Sequence, residues 1–134
     1  NEIDLIDWEY AGISDPAADF GTMVVCASLS RAQSDAALAA YLEAEPTAAQ
    51  QRHFYAYVVF AGWCWYVWSL VKEAEGDDVV QWLYIYYQAA SDNIDWVLAA
   101  YEQAASQDAA SAQAAQAETA SDVVATPDQT SPNR

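Results

Sequence analysis

The chain has 134 residues, enough for one domain of ordinary size and too few for a multidomain machine. Twenty acidic residues against four basic ones give a formal net charge of −16, which excludes nucleic acid or an anionic membrane surface as a partner held by simple electrostatics. Of the 54% hydrophobic residues, 29 are alanine, so core-forming power rests on the 18 aromatics and the scattered Leu, Ile and Val.

Residues 2–10, Glu-Ile-Asp-Leu-Ile-Asp-Trp-Glu-Tyr, alternate in the way that predicts a short strand. Asp15-Pro16 then marks a helix start, and Phe20, Met23, Val24 and Ala27 share one helical face in a helix expected over 16–29. Ser30-x-x-Gln33 predicts a capping box opening a second helix through Glu43. Thr47 opens a third, expected over 47–75 and stopped at Gly76. A fourth is expected from Val79 to Ser106.

Phe54–Val71 is a run of 18 uncharged residues, the lower limit for a membrane span. Its tryptophans do not form belts at both ends and its flanking charges are few and mixed, so it reads as a buried bundle helix and a span is not expected. From residue 107 the sequence reduces to Ala, Gln, Ser, Asp and Thr, which predicts a disordered acidic tail over 107–134. Cys26 and Cys64 lie in apolar runs without zinc-site spacing and are expected to be buried free thiols. No signal-peptide pattern opens the chain, so a cytoplasmic location is expected. A lone strand cannot satisfy its own backbone, and the first residue is Asn. Both observations favour a piece of a longer protein, so its own missing N-terminal part is the expected partner.

Asp7 and Glu9 sit two residues apart on the predicted strand, hence on one side, where it gives way to a Gly-containing loop. Carboxylates so placed can hold a hard cation such as magnesium, although an acid at a strand end is also an ordinary solvated group. Trp65 and Trp68 share a face of the third helix. Paired indoles suit a quaternary ammonium ion, which donates no hydrogen bonds. On spacing alone the same stripe reads as core. Trp82, Tyr84, Tyr86 and Tyr87 on the next helix could add further walls. His53, the single histidine, has no nucleophile beside it in the sequence and reads as a surface or satisfied residue.

The string IDLIDWEYAGISDPAADFG, with IDWEYAG its specific part, resembles the metal-binding segment of choline and ethanolamine kinases, within the aminoglycoside-phosphotransferase-like enzymes of the protein-kinase fold. Trp65-Tyr66-Val67-Trp68 is similar to the Trp-x-x-Trp helix of choline kinases. The resemblance covers roughly residues 2–103 and lies nearest the bacterial members, because Thr22 and Met23 replace the polar pair expected of animal ones.

It implies that Asp7 and Glu9 bind Mg2+ on ATP, that Asp19 buttresses the catalytic loop, and that Trp65 and Trp68, with Trp82 as a further candidate, bind substrate. Asp19-Phe20-Gly21 spells a kinase motif, but Asp19 follows Pro16-Ala17-Ala18 and should lie in a helix, so Asp7 is the better ligand. Family members also carry a His-x-Asp-x-x-x-x-Asn loop and a nucleotide lobe with its lysine. This sequence holds neither, so no catalytic residue is assigned in it.

The expected fold is mainly α: the helical part of the C-terminal lobe of a protein-kinase-like α+β fold, residues 1–106, with one N-terminal strand and the tail at 107–134. The expected function is that of a fragment of an ATP- and magnesium-dependent kinase for choline or a related amino alcohol, inactive by itself. The alternatives are an aminoglycoside or other hydroxyl kinase of the same fold, and a non-catalytic helical interaction module whose strand augments a partner sheet.

Overall fold

The computed structural model describes residues 12–124, with side chains through residue 116. Four helices make up its regular structure among the described residues: α1 (Pro16–Cys26), α2 (Arg31–Leu42), α3 (Ala48–Glu75) and α4 (Val80–Val124). The strand expected over residues 2–10 lies outside the described residues. The chain divides into two compact units, Asn1–Val97 and Leu98–Arg134.

Local chemistry fixes the helix starts. Pro16 stands in the first turn of α1, where its missing N–H costs nothing, and the Asp15 carboxylate accepts the Ala17 N–H at 2.9 Å. Ser30 and Thr47 each close a reciprocal capping box, with Gln33 and Gln50, whose side-chain oxygens accept the cap N–H groups at 2.9 Å. Gly76 ends α3 at φ +98°, as its position in the sequence predicts. Glu43 ends α2 at φ +53°, a left-handed conformation that a side chain disfavours.

In the unit ending at Val97, α3 is the element on which the other helices pack. Phe20 of α1 meets Phe54 and Tyr55 of α3 edge-on, with ring centroids 5.4 and 6.3 Å apart. Leu38 of α2 is fully buried, and Tyr41 leans on Phe54 at 6.0 Å. Tyr55 meets Trp96 of α4 at 5.4 Å. Two glycines set the closest approaches. A Cβ on Gly21 would stand 2.5 Å from the Tyr57 carbonyl oxygen, and one on Gly62 would stand 2.9 Å from the Ala90 nitrogen and 3.0 Å from the Tyr86 carbonyl oxygen.

α3 is long and apolar enough to cross a membrane by length and composition, with 33% of its most apolar window buried. Its inward residues Phe54, Tyr55, Val58 and Ala61 belong to the shared core, as those of a bundle helix do. Outward, Phe60, Trp63, Val67, Leu70 and Val71 are exposed.

Two expectations are corrected. Cys26 and Cys64 are free but exposed rather than buried: Cys64 lies among the exposed residues of the outward side of α3, and Cys26 stands at the open end of α1, where its thiol meets Tyr86. α4 does not stop at Ser106 but runs to Val124. Alanine is the best helix former, and between Ser106 and Val124 no Gly or Pro interrupts the run. The absence of large apolar side chains removes a packing face, not the backbone preference. In the unit beginning at Leu98, Ser106 and Ser111 donate to the carbonyls of Glu102 and Gln107, four residues back, at 2.9 Å. Residues 125–134 lie outside the described residues.

Gly62→Ala and Gly21→Ala should each cost about 1 to 3 kcal/mol or more through overpacking, despite the helix propensity alanine adds. Glu43→Gly should stabilise by about 1 kcal/mol by removing the left-handed penalty. Urea denaturation of the three variants checks the signs. Equal small effects at Gly21 and Gly62 would contradict the close approaches.

Candidate functional site

Of the residues singled out in the sequence, Asp7 and Glu9 lie outside the described residues. Among the described residues no group of three or more His, Cys, Asp or Glu side chains gathers to hold a metal ion. Asp19 sits in the first turn of α1, as expected, so the Asp-Phe-Gly string is helical and follows directly on helical residues 16–18.

The three tryptophans come together through a fourth ring. Trp65 and Trp68, one turn apart on α3, meet edge-to-face with centroids 5.6 Å apart and planes at 74°. Trp65 tilts against Tyr86 of α4 at 6.2 Å, and Tyr86 stacks on Trp82 at 5.9 Å with planes 22° apart. The order Trp68, Trp65, Tyr86, Trp82 is thus a continuous aromatic wall across two helices. Trp65 and Tyr86 anchor it in the packed interior, whereas Trp68 and Trp82 are 41% and 36% exposed. Part of each outer ring is therefore open to solvent, unlike a stripe wholly consumed by packing.

Trp63, Tyr66 and Tyr87 form a second group, with centroids 5.6 to 5.9 Å apart. The Lys72 ammonium stands 6.0 Å from the Trp68 ring centre, at the outer range of a cation–π contact, and is neutralised by Glu75 at 2.7 Å. Between the two tryptophans and Lys72, Ser69 is fully buried, and its hydroxyl has no hydrogen-bond partner among the described residues. That orphan is the kind of polar group for which a native interior ordinarily supplies a partner.

His53 is satisfied, as its setting in the sequence suggests. Its Nε2–H donates to Asp15 Oδ2 at 2.8 Å, tying the start of α3 to the cap of α1. The Ala17 N–H is the main reason the Asp15 carboxyl lies below the usual carboxylate range; partial burial opposes this, and His53 adds to it. Tyr55, buried and donating to Asp35 Oδ1 at 2.7 Å, has its phenol pushed well up, first by burial and then by that acceptor.

Sequence reasoning did not find Arg31. Its guanidinium carbon lies 3.9 Å from the centre of the Tyr55 ring and 4.4 Å from that of Trp96, with Nε donating to both oxygens of Asp35. The Arg31 to Asp35 spacing was the visible signal; the aromatic plates come from two other helices.

Compared with known proteins, residues 5–57 match the model of the phosphotransferase enzyme family APH. No curated protein and no solved structure matches the chain. The match supports an aminoglycoside-phosphotransferase-like kinase fold, and the helices are compatible with a kinase-like C-terminal part. It spans the Asp7 segment, α1, α2 and the first turns of α3, and ends before Trp65.

Asp15 has a depressed folded pKa, so it stabilises the fold above its unfolded value, and that contribution is lost as pH falls through the lowered folded value. Asp15→Asn keeps a capping acceptor while removing the titration. It should flatten the acid limb of stability below about pH 4, as read from urea midpoints across pH. An unchanged acid limb would contradict the role of Asp15.

Proposed function

We propose that this chain carries the helical part of the C-terminal lobe of a small-molecule kinase that moves the γ-phosphate of ATP to the hydroxyl of choline or a related amino alcohol. The phosphotransferase match over residues 5–57 supports the kinase class. The amino-alcohol reading rests on one observation: the aromatic wall Trp68, Trp65, Tyr86 and Trp82, with its two outer indoles exposed. A quaternary ammonium ion is held best by aromatic faces, because it has no N–H with which to reward a carbonyl or hydroxyl. A polycationic sugar would instead call for many acidic side chains around the site.

Asp7, with Glu9, would hold the magnesium of ATP, an ion that when bound neutralises phosphate charge. Asp19, at the start of α1, would brace the catalytic loop supplied by the rest of the enzyme. The sequence lacks the catalytic loop motif and the nucleotide lobe, so these 134 residues alone should not turn over ATP.

In the complete enzyme, Trp65→Phe and Trp68→Phe keep much of the bulk and weaken the π face. Each should raise KM for choline several-fold, more than for an uncharged alcohol, with KM for ATP and Tm nearly unchanged. Equal losses for charged and uncharged substrates would return the wall to packing. Asp7→Asn should lower kcat by orders of magnitude. Magnesium rescue of Asp19→Asn but not of Asp7→Asn would reverse the assignment of the metal ligand.

A further inference from the structure

A cavity of about 440 Å³ opens where the α1–α2 turn faces α3 and α4, within the unit ending at Val97. It shares no lining residue with the aromatic wall, and its size is that of an ordinary small-molecule site. Val24, Leu29, Val58 and Ile85 give it an apolar side. Its lining also carries one cation, Arg31, and one anion, Asp92.

These two are not paired with each other. Arg31 lies over the corner of the edge-to-face Tyr55–Trp96 pair, with its side chain 42% exposed and its Nε edge bonded to Asp35. The two Nη groups, the fork that matches a carboxylate, have no partner among the described residues. Asp92 is exposed and likewise has none among the described residues. Asn93, beside it, has its amide committed to the Ala89 carbonyl at 2.8 Å. The two ring contacts and the Asp35 contact restrict the rotamers of Arg31 before any ligand arrives, which lowers the ordering cost of binding.

A lining with one fixed cation, one free anion and an apolar wall is complementary to a molecule with one group of each sign and an apolar body. We propose that this cavity binds a small zwitterion of the hydrophobic α-amino-acid type. Its carboxylate takes the Nη edge of Arg31, its ammonium takes Asp92, and its side chain lies against Val24, Leu29, Val58 and Ile85. Because the cavity is separate from the aromatic wall, the proposal does not depend on the kinase reading.

The test is a nuclear magnetic resonance titration of the chain with leucine, with 4-methylpentanoate, which lacks the ammonium, and with isoamylamine, which lacks the carboxylate. Leucine should give saturable shifts at the amides of residues 30–34 and 88–93, and each analogue should bind at least tenfold more weakly. Asp92→Asn should weaken leucine at least tenfold while leaving 4-methylpentanoate unchanged. Arg31→Gln should weaken leucine and 4-methylpentanoate together, with isoamylamine unaffected. Absence of saturable shifts with leucine, equal affinities for the three probes, or full leucine affinity in Asp92→Asn would overturn the proposal. None of these readouts involves phosphoryl transfer or Trp65 and Trp68, so failure here leaves the kinase reading standing.

Discussion

The missing side chain at Gly62 is the constraint on which the candidate site depends. α3 and α4 approach so closely there that a single Cβ would fall 2.9 Å from the Ala90 nitrogen. Trp65 lies one turn further along α3, and Tyr86 one turn before Ala90 on α4. The same approach therefore sets the 6.2 Å separation of those two rings, and through Tyr86 the stacking of Trp82. Gly21 does the equivalent for α1, drawing Phe20 onto Phe54 and Tyr55. Close packing thus positions the aromatic wall.

α3 then divides its work along its length. Its first half supplies Phe54, Tyr55 and Val58 to the core and His53 to the cap of α1. Its second half shows half-exposed indoles and aliphatics, with the buried Ser69 hydroxyl, which has no partner among the described residues. Apolar residues on two sides of one helix make the 18-residue uncharged run look like a span, although one side of it is core. Large exposed apolar surfaces mark places where something else binds. The amino-alcohol reading assigns Trp68 and Trp82 within this surface to a ligand.

Legibility in the sequence followed the range of the interaction. Ser30-x-x-Gln33, Asp15-Pro16, Thr47 and Gly76 marked helix ends because capping involves residues two to four apart, and all four stand where the string predicts them; the partner of Thr47, Gln50, is seen only in the structure. The end of α4 was misjudged because a poor packing face was weighed above the intrinsic preference of alanine. The cysteines were misplaced because an apolar neighbourhood does not say which side of a helix a residue faces. The spacing of Trp65 and Trp68 showed that they share a face, but their continuation through Tyr86 to Trp82 depends on how α4 crosses α3. The contact of Arg31 with two rings was illegible for the same reason: residues 31, 55 and 96 meet only in three dimensions. Asp7 and Glu9 lie outside the described residues, so their reading rests on the IDWEYAG string and the family match.

The central claim is that the wall of Trp65, Trp68 and Trp82 recognises positive charge rather than shape. Tryptophan fluorescence of the complete enzyme, titrated at equilibrium with choline and with 3,3-dimethylbutan-1-ol, tests it most directly. The two ligands have nearly the same form, and the second replaces the ammonium nitrogen by carbon. A cation–π site predicts saturable quenching by choline at several-fold higher affinity than by the uncharged alcohol. Equal affinities, or no response to choline, would contradict it.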